Sequence, residues 1–169
     1  MTYTVTVEPT GEQIEVEEGQ TILQAALRQS VWIPFACGHG LCATCKVTVL
    51  DGDVEVGDAS PFALMDSERE EGKVLACCAT VESDVTIEAD IDVDEDFEGY
   101  AVEDFHATVT KIVDLSPTIK GVHFSLDKSI TFQAGQYINL QLPGCDGVRA
   151  FSIANAPSNN QEIELHIRQ

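Results

Sequence analysis

The stretch Cys37-Gly-His-Gly-Leu-Cys42-Ala-Thr-Cys45 decides how the chain is read. Three cysteines spaced C-x4-C-x2-C in one loop, with Cys77 arriving from a distant strand, form the arrangement that holds a [2Fe–2S] cluster. The longer gap lets Cys37 and Cys42 reach from opposite sides of a wrapping loop, and the shorter one returns Cys45 beside Cys42. Gly38 and Gly40 fit this reading. A loop packed on sulfide turns its backbone N–H groups inward, through φ > 0 conformations that glycine adopts without strain. Four thiolates also suit zinc, but structural zinc sites pair two short C-x2-4-C hooks, and only Cys42/Cys45 makes one. Disulfides need an oxidising compartment, which nothing in the sequence marks. A Rieske centre needs two His and two Cys. No second His lies near His39, which reads as a solvent-facing loop residue.

At 169 residues and 44% hydrophobic content, the chain can bury a core and accommodate two small domains. Its N-terminus, Met1-Thr-Tyr-Thr-Val-Thr-Val, has neither the basic nor the apolar part of a leader, and no run of about eighteen apolar residues occurs. The expectation is a cytoplasmic protein without a membrane association. There, six cysteines point to metal or redox chemistry before cross-links. A net charge of −20 excludes nucleic acid as a natural partner, because phosphate binding needs clustered Lys and Arg. The acidity is uneven: residues 1–100 carry 22 acidic and 4 basic side chains, residues 101–169 only 7 and 5. Either the first half simply has a well-solvated acidic face, or it docks on a basic patch of an electron-transfer partner.

Along the chain, Tyr3–Glu8 and Gln13–Glu17 alternate around a turn at Pro9-Thr-Gly11 and predict a hairpin. Thr21 is placed to cap a short helix whose apolar stripe is Ile22, Leu23, Ala26 and Leu27. Trp32 reads as core. Lys46–Leu50 alternates as a strand, Val54–Val56 is a possible continuation of the sheet, and Ser60-Pro61 predicts a helix over Phe62–Glu70. Lys73–Ala76 reads as a buried strand carrying Cys77, and Val85–Glu88 completes an α+β β-grasp module over residues 1–93. Adjacent residues of a strand face opposite ways, so only one of Cys77 and Cys78 can reach the loop. An acidic linker is expected over 94–101. Beyond it, over 102–169, five strand-like runs predict an all-β antiparallel barrel: His106–Asp114, Ile119–Leu126, Gln136–Leu142, Val148–Ala154 and Ile163–Arg168. Cys145 reads as an unpaired surface thiol.

The cysteine loop resembles the plant-type ferredoxin module, and the chain from Tyr3 onward resembles the reductase components of bacterial multicomponent monooxygenases, phenol hydroxylase reductases among them. The resemblance implies cluster ligation by Cys37, Cys42, Cys45 and Cys77, because the family's fourth ligand follows a leucine and one variable residue, as in Leu75-Ala76-Cys77. Arg149-Ala-Phe151-Ser152 matches the R-x-[YF]-S signature of the ferredoxin–NADP reductase-like family. This implies that Arg149 pairs with the FAD pyrophosphate, Phe151 lies against the isoalloxazine ring and Ser152 offers its hydroxyl near the reactive ring nitrogen. The bland reading of those four residues is an ordinary strand with one exposed Arg. By position on the next strand, the resemblance adds His166, Ile167 and Arg168 as flavin neighbours.

Within the sequence, the barrel's sixth strand, the family's phosphate segment and a pyridine-nucleotide fingerprint do not appear. A barrel open on one side would leave an unpaired edge, so the expectation is an N-terminal portion of a longer protein. The resemblance implies an NADH-dependent flavin/iron–sulfur oxidoreductase that passes electrons from NADH, through FAD and the [2Fe–2S] cluster, to the hydroxylase component of a phenol-type aromatic monooxygenase. The rival readings are a ferredoxin-type carrier whose barrel only docks a partner, without flavin, and a zinc-stapled interaction module.

Overall fold

A computed structural model describes residues 1–91, 100–145 and 147–169. The chain divides into two compact units, Met1–Glu103 and Asp104–Gln169. Of the expected acidic linker, 94–99 lie outside the described residues, and Val102 belongs to the first unit, its N–H donating to the Leu27 carbonyl at 2.9 Å.

The first unit opens with the predicted hairpin. Strands β1 (Thr2–Glu8) and β2 (Glu12–Glu17) pair antiparallel, and their alternation buries Val5, Val7, Ile14 and Val16 on one face. Helix α1 (Ile22–Arg28) follows. Thr21 caps it as expected: the Gln24 N–H donates to Thr21 Oγ1 at 3.3 Å, and Gln24 reaches back to the Thr21 N–H. Ile22, Leu23, Ala25 and Ala26 are buried against the sheet. Trp32 is half-buried, with its ring 5.6 Å from that of Phe35.

Strand β3 (Lys46–Asp51) is followed by the two-residue β4 (Val54–Glu55), helix α2 (Asp66–Glu70), β5 (Lys73–Leu75), the two-residue β6 (Thr80–Val81) and β7 (Val85–Ala89). The main sheet runs β2-β1-β7-β3-β5, with β7 parallel to β1 and the other pairings antiparallel. Three local expectations are corrected. Val54–Val56 does not extend the main sheet, because β4 pairs with β6 in a separate two-stranded sheet. Helix α2 begins at Asp66 rather than Phe62, because Met65 is extended (φ −71°, ψ 156°) and its N–H donates to the Glu68 carboxylate at 3.0 Å instead of to the Pro61 carbonyl that a helix from Phe62 would require. Cys77 and Cys78 lie beyond β5, in a turn closed by the Cys78 and Ala79 N–H groups on the Leu75 carbonyl at 2.9 Å. The strand-face argument for choosing between them therefore does not apply.

The second unit holds five strands: β8 (Ala107–Ser116), β9 (Ile119–Leu126), β10 (Tyr137–Gln141), β11 (Val148–Ser152) and β12 (Glu162–Arg168). They form two antiparallel sheets, β12-β9-β8 and β10-β11, joined by a bridge between Ile153 and Leu165 and packed together where Ile138, Leu140 and Phe151 meet the buried cluster. The sheets are open, not closed on themselves. Phe124, Phe132, Ile163 and Leu165 form their buried centre.

Candidate functional site

The fold brings the fourth cysteine to the loop through strand register. Lys46 stands opposite Leu75 in the β3–β5 ladder, and the Ala76 N–H extends it by donating to the Cys45 carbonyl at 2.9 Å. Cys45, just before β3, and Cys77, just after β5, are thereby neighbours. The turn that carries Cys77 is also tied to α1, whose Ile22 and Leu23 N–H groups donate to the Ala79 and Ala76 carbonyls. Those are among the N–H groups that a helix start leaves without an internal partner.

Within the loop, backbone N–H groups point at sulfur. His39 and Leu41 donate to Cys37 Sγ at 3.5 and 3.4 Å, and Cys37 donates to Cys42 Sγ at 3.4 Å. Gly38 and Gly40 take positive φ, as expected. The Thr44 hydroxyl, 3.2 Å from Cys42 Sγ, together with the Cys37 N–H, pulls the Cys42 thiol down to about 6. Cys45 and Cys77 form a second pair. Hydrogen bonding with Cys77, and then burial, holds Cys45 far above the usual thiol range, whereas the bond from Cys45 holds Cys77 below it, helped by the Gly40 N–H. Burial raises Cys78, whose Sγ lies 3.7 Å from the Asp58 carbonyl.

Two pairs of thiols result, Cys37 with Cys42 and Cys45 with Cys77, and Cys78 Sγ lies 3.7 Å from Cys77 Sγ beside the second pair. Among the described residues, no three His, Cys, Asp or Glu side chains gather closely enough to grip one ion. A mononuclear zinc site needs four donors on a single centre. Two pairs with N–H groups aimed at sulfur fit a two-iron cluster, whose thiolates and sulfides carry excess negative charge. Sequence reasoning missed Thr44 and the particular N–H donors. The small hydroxyl inside the Cys42–Cys45 hook was the signal available.

In the second unit, Arg149, Phe151 and Ile167 border one cavity of about 230 Å³, whose other walls include Val122, Phe124 and Leu140. An apolar slot edged by a guanidinium suits a flat ring joined to a diphosphate. Cys145, exposed as expected, stands at its edge. Ser152, His166 and Arg168 are exposed and do not line this cavity. Ser152 pairs in register with Tyr137, and strand alternation turns both away from Phe151. His166 bonds Glu164 at 3.0 Å. Among the described residues, no helix is long and apolar enough to cross a membrane.

Residues 5–82 match the 2Fe-2S iron–sulfur cluster binding domain, and residues 106–169 match the oxidoreductase FAD-binding domain. The chain thus joins an iron–sulfur cluster binding domain to an oxidoreductase FAD-binding domain, and the second match favours flavin over the reading of the second unit as a flavin-free docking module. It is 68% identical over 168 residues to the phenol 2-monooxygenase reductase component DmpP of Pseudomonas sp. (strain CF600), covering 99% of this chain and 48% of that protein. The phenol hydroxylase P5 protein of Acinetobacter pittii is 65% identical over 169 residues, 100% of this chain and 48% of that one. Among solved structures, the Amycolatopsis reductase GcoB superposes with a TM-score of 0.88 at 36% identity, over 99% of this chain and 49% of its own. The chain spans about half the length of the curated relatives it matches.

Proposed function

We propose that this chain forms the cluster domain and flavin-side portion of a cytoplasmic electron-transfer reductase, with NADH as donor and the hydroxylase component of a phenol-type aromatic monooxygenase as acceptor. The observation that carries the reading is the cysteine loop. Cys37/Cys42 and Cys45/Cys77 stand as two thiol pairs, with the N–H groups of Cys37, His39 and Leu41 directed at sulfur. In this reading those four cysteines hold the [2Fe–2S] cluster, within a module spanning residues 1–93.

Arg149 and Phe151 are the residues this chain offers to FAD, the first for its pyrophosphate and the second for its ring. Ser152, His166, Ile167 and Arg168 are the remaining proposed flavin neighbours, of which Ile167 shares the Arg149–Phe151 cavity. Flavin takes up two electrons together and yields them singly, and the cluster carries one at a time, which is what a one-electron acceptor requires. The protein's part is placement and tuning. N–H donors at sulfur and the partial exposure of Cys37, Cys42 and Cys77 bias a plant-type centre, for which about −400 mV is typical.

The test is anaerobic addition of NADH to the full-length reductase, alone and with a phenol-type hydroxylase component, following the flavin and cluster absorbance. The proposal predicts bleaching of both and hydroxylase-dependent return of the cluster band. An NADH-insensitive spectrum, or a reduced cluster that the hydroxylase leaves untouched, contradicts it.

A further inference from the structure

The bridge between β11 and β12 sets Ser152 beside a histidine. Ile153 stands opposite Leu165, antiparallel, and the Ala154 N–H continues the ladder by donating to the Glu164 carbonyl at 2.8 Å. One step the other way, that register sets Ser152 opposite His166. Ile153 and Leu165 both turn into the buried cluster, so Ser152 and His166 turn out together on the other face, where both are exposed. Residues opposed in this way have Cα atoms about 4.5–5.5 Å apart.

His166 is itself held. Its Nε2 lies 3.0 Å from Glu164 Oε1, two residues back on the same face, and Nε2 of His123 on β9 stands 4.0 Å from the same oxygen. Glu164 is opposite His123 in the β12–β9 ladder, and its N–H donates to Asn155 Oδ1 at 2.8 Å. The backbone that carries the carboxylate is thus pinned through both its N–H and its carbonyl. The His166 side chain is 52% exposed, the Glu164 side chain 25%. A carboxylate on one imidazole nitrogen orients the ring, while the other nitrogen takes up or gives up a proton.

We propose that His166, oriented by Glu164, takes the proton that Ser152 relays from the flavin ring nitrogen and hands it to water. This rests on the flavin reading of Ser152. NADH delivers two electrons with one proton, as a hydride, whereas the cluster accepts electrons singly and takes no proton. For each NADH, one N–H bond at the ring nitrogen must therefore break as the electrons leave for the cluster. The Ser152 hydroxyl accepts that proton while passing its own to the His166 imidazole. The imidazolium beside Glu164 then loses a proton to solvent, and serine and histidine return to their starting states. The exposed side of His166 supplies that exit.

The test uses the full-length reductase. With FAD removed, diethyl pyrocarbonate labels His166, and added FAD protects it, as read by peptide mass spectrometry. The NADH-reduced protein is then mixed anaerobically with ferricyanide, and the return of the flavin absorbance is timed. His166→Ala, with parental FAD and iron content, slows that return at least about 10-fold, the low side of what a positioned proton acceptor contributes, because water reaches this face. The slowing exceeds any change in flavin bleaching by NADH. Added imidazole restores the His166→Ala rate. His166→Gln, which can still bond Glu164 but carries no proton, stays slow, and Glu164→Gln falls between it and the parent. Labelling of His166 that FAD leaves unchanged overturns the flavin reading of this face and the proposal together. Protection by FAD with a parental rate in His166→Ala, a slow His166→Ala that imidazole does not rescue, or a fast His166→Gln overturns the relay alone. So does loss of FAD from both His166 variants, which makes the residue an anchor for the cofactor.

Discussion

Replacing Gly40 with Ala tests the geometry of the cysteine loop, and Gly38→Ala is its internal control. Both glycines take left-handed backbone, φ +80° at Gly40 and +71° at Gly38, so alanine at either position costs about 1–2 kcal/mol in backbone strain. Ala43 in the same loop already bears φ +62°, so such strain is tolerable there. The two sites differ in space. A Cβ at Gly38 meets nothing within 4 Å, whereas one at Gly40 stands 2.8 Å from Cys78 Sγ and 2.9 Å from the Asp58 carbonyl. Neither neighbour yields easily, because that carbonyl accepts from Cys78 and Gly40 itself accepts the Ser60 N–H. Overpacking of this kind adds about 1–3 kcal/mol. In a domain of about 100 residues, each kcal/mol lowers Tm by about 4–8 °C, so Gly40→Ala melts at least about 4 °C below Gly38→Ala. The assay is thermal unfolding by circular dichroism, with iron content measured on the same samples. Equal melting temperatures, or Gly38→Ala as the weaker protein, would refute the reasoning.

Cys77→Ser is expected to abolish iron and sulfide retention and Cys78→Ser to spare it, because Cys77 bonds Cys45 directly, whereas Cys78 meets the Asp58 carbonyl and reaches the pair only through Cys77; metal analysis showing the reverse overturns the ligand set. Electron delivery to the hydroxylase component falls as salt rises, since exposed charges more than about 8 Å apart are largely screened at 0.15 M, and a rate independent of ionic strength leaves the acidity as a matter of solubility. Leu165→Ala destabilises the second unit by about 2–5 kcal/mol, because Leu165 is 0% exposed in a buried cluster of four residues; a change in urea-unfolding free energy below about 1 kcal/mol would place it outside the core.

Local chemistry made much of the fold legible. The hairpin, the Thr21 cap and the five strands of the second unit follow from alternation, capping residues and turn signals, which act over a few residues. The main sheet's order does not. β7 sits in the middle, parallel to β1, and no local pattern specifies which strand crosses over to pair there. The start of α2 was missed because the Glu68 carboxylate takes the Met65 N–H and holds Met65 extended, which breaks a helix beginning at Phe62. Cysteine spacing pointed to the loop, but the partnership of Cys45 with Cys77 depends on the register of β3 with β5, a long-range property. In the second unit, the separation of Ser152 from Phe151 was legible, since adjacent residues of a strand face opposite ways. The convergence of Arg149, Phe151 and Ile167 on one cavity needed the folded sheets.

Iron and acid-labile sulfide analysis of the 169-residue chain, purified anaerobically and paired with its visible spectrum, tests the central claim most directly. Four thiols in two pairs around a [2Fe–2S] cluster predict a red-brown protein with about two irons and two sulfides per chain, both lost in Cys77→Ser. A colourless protein carrying one zinc and no sulfide would contradict the account.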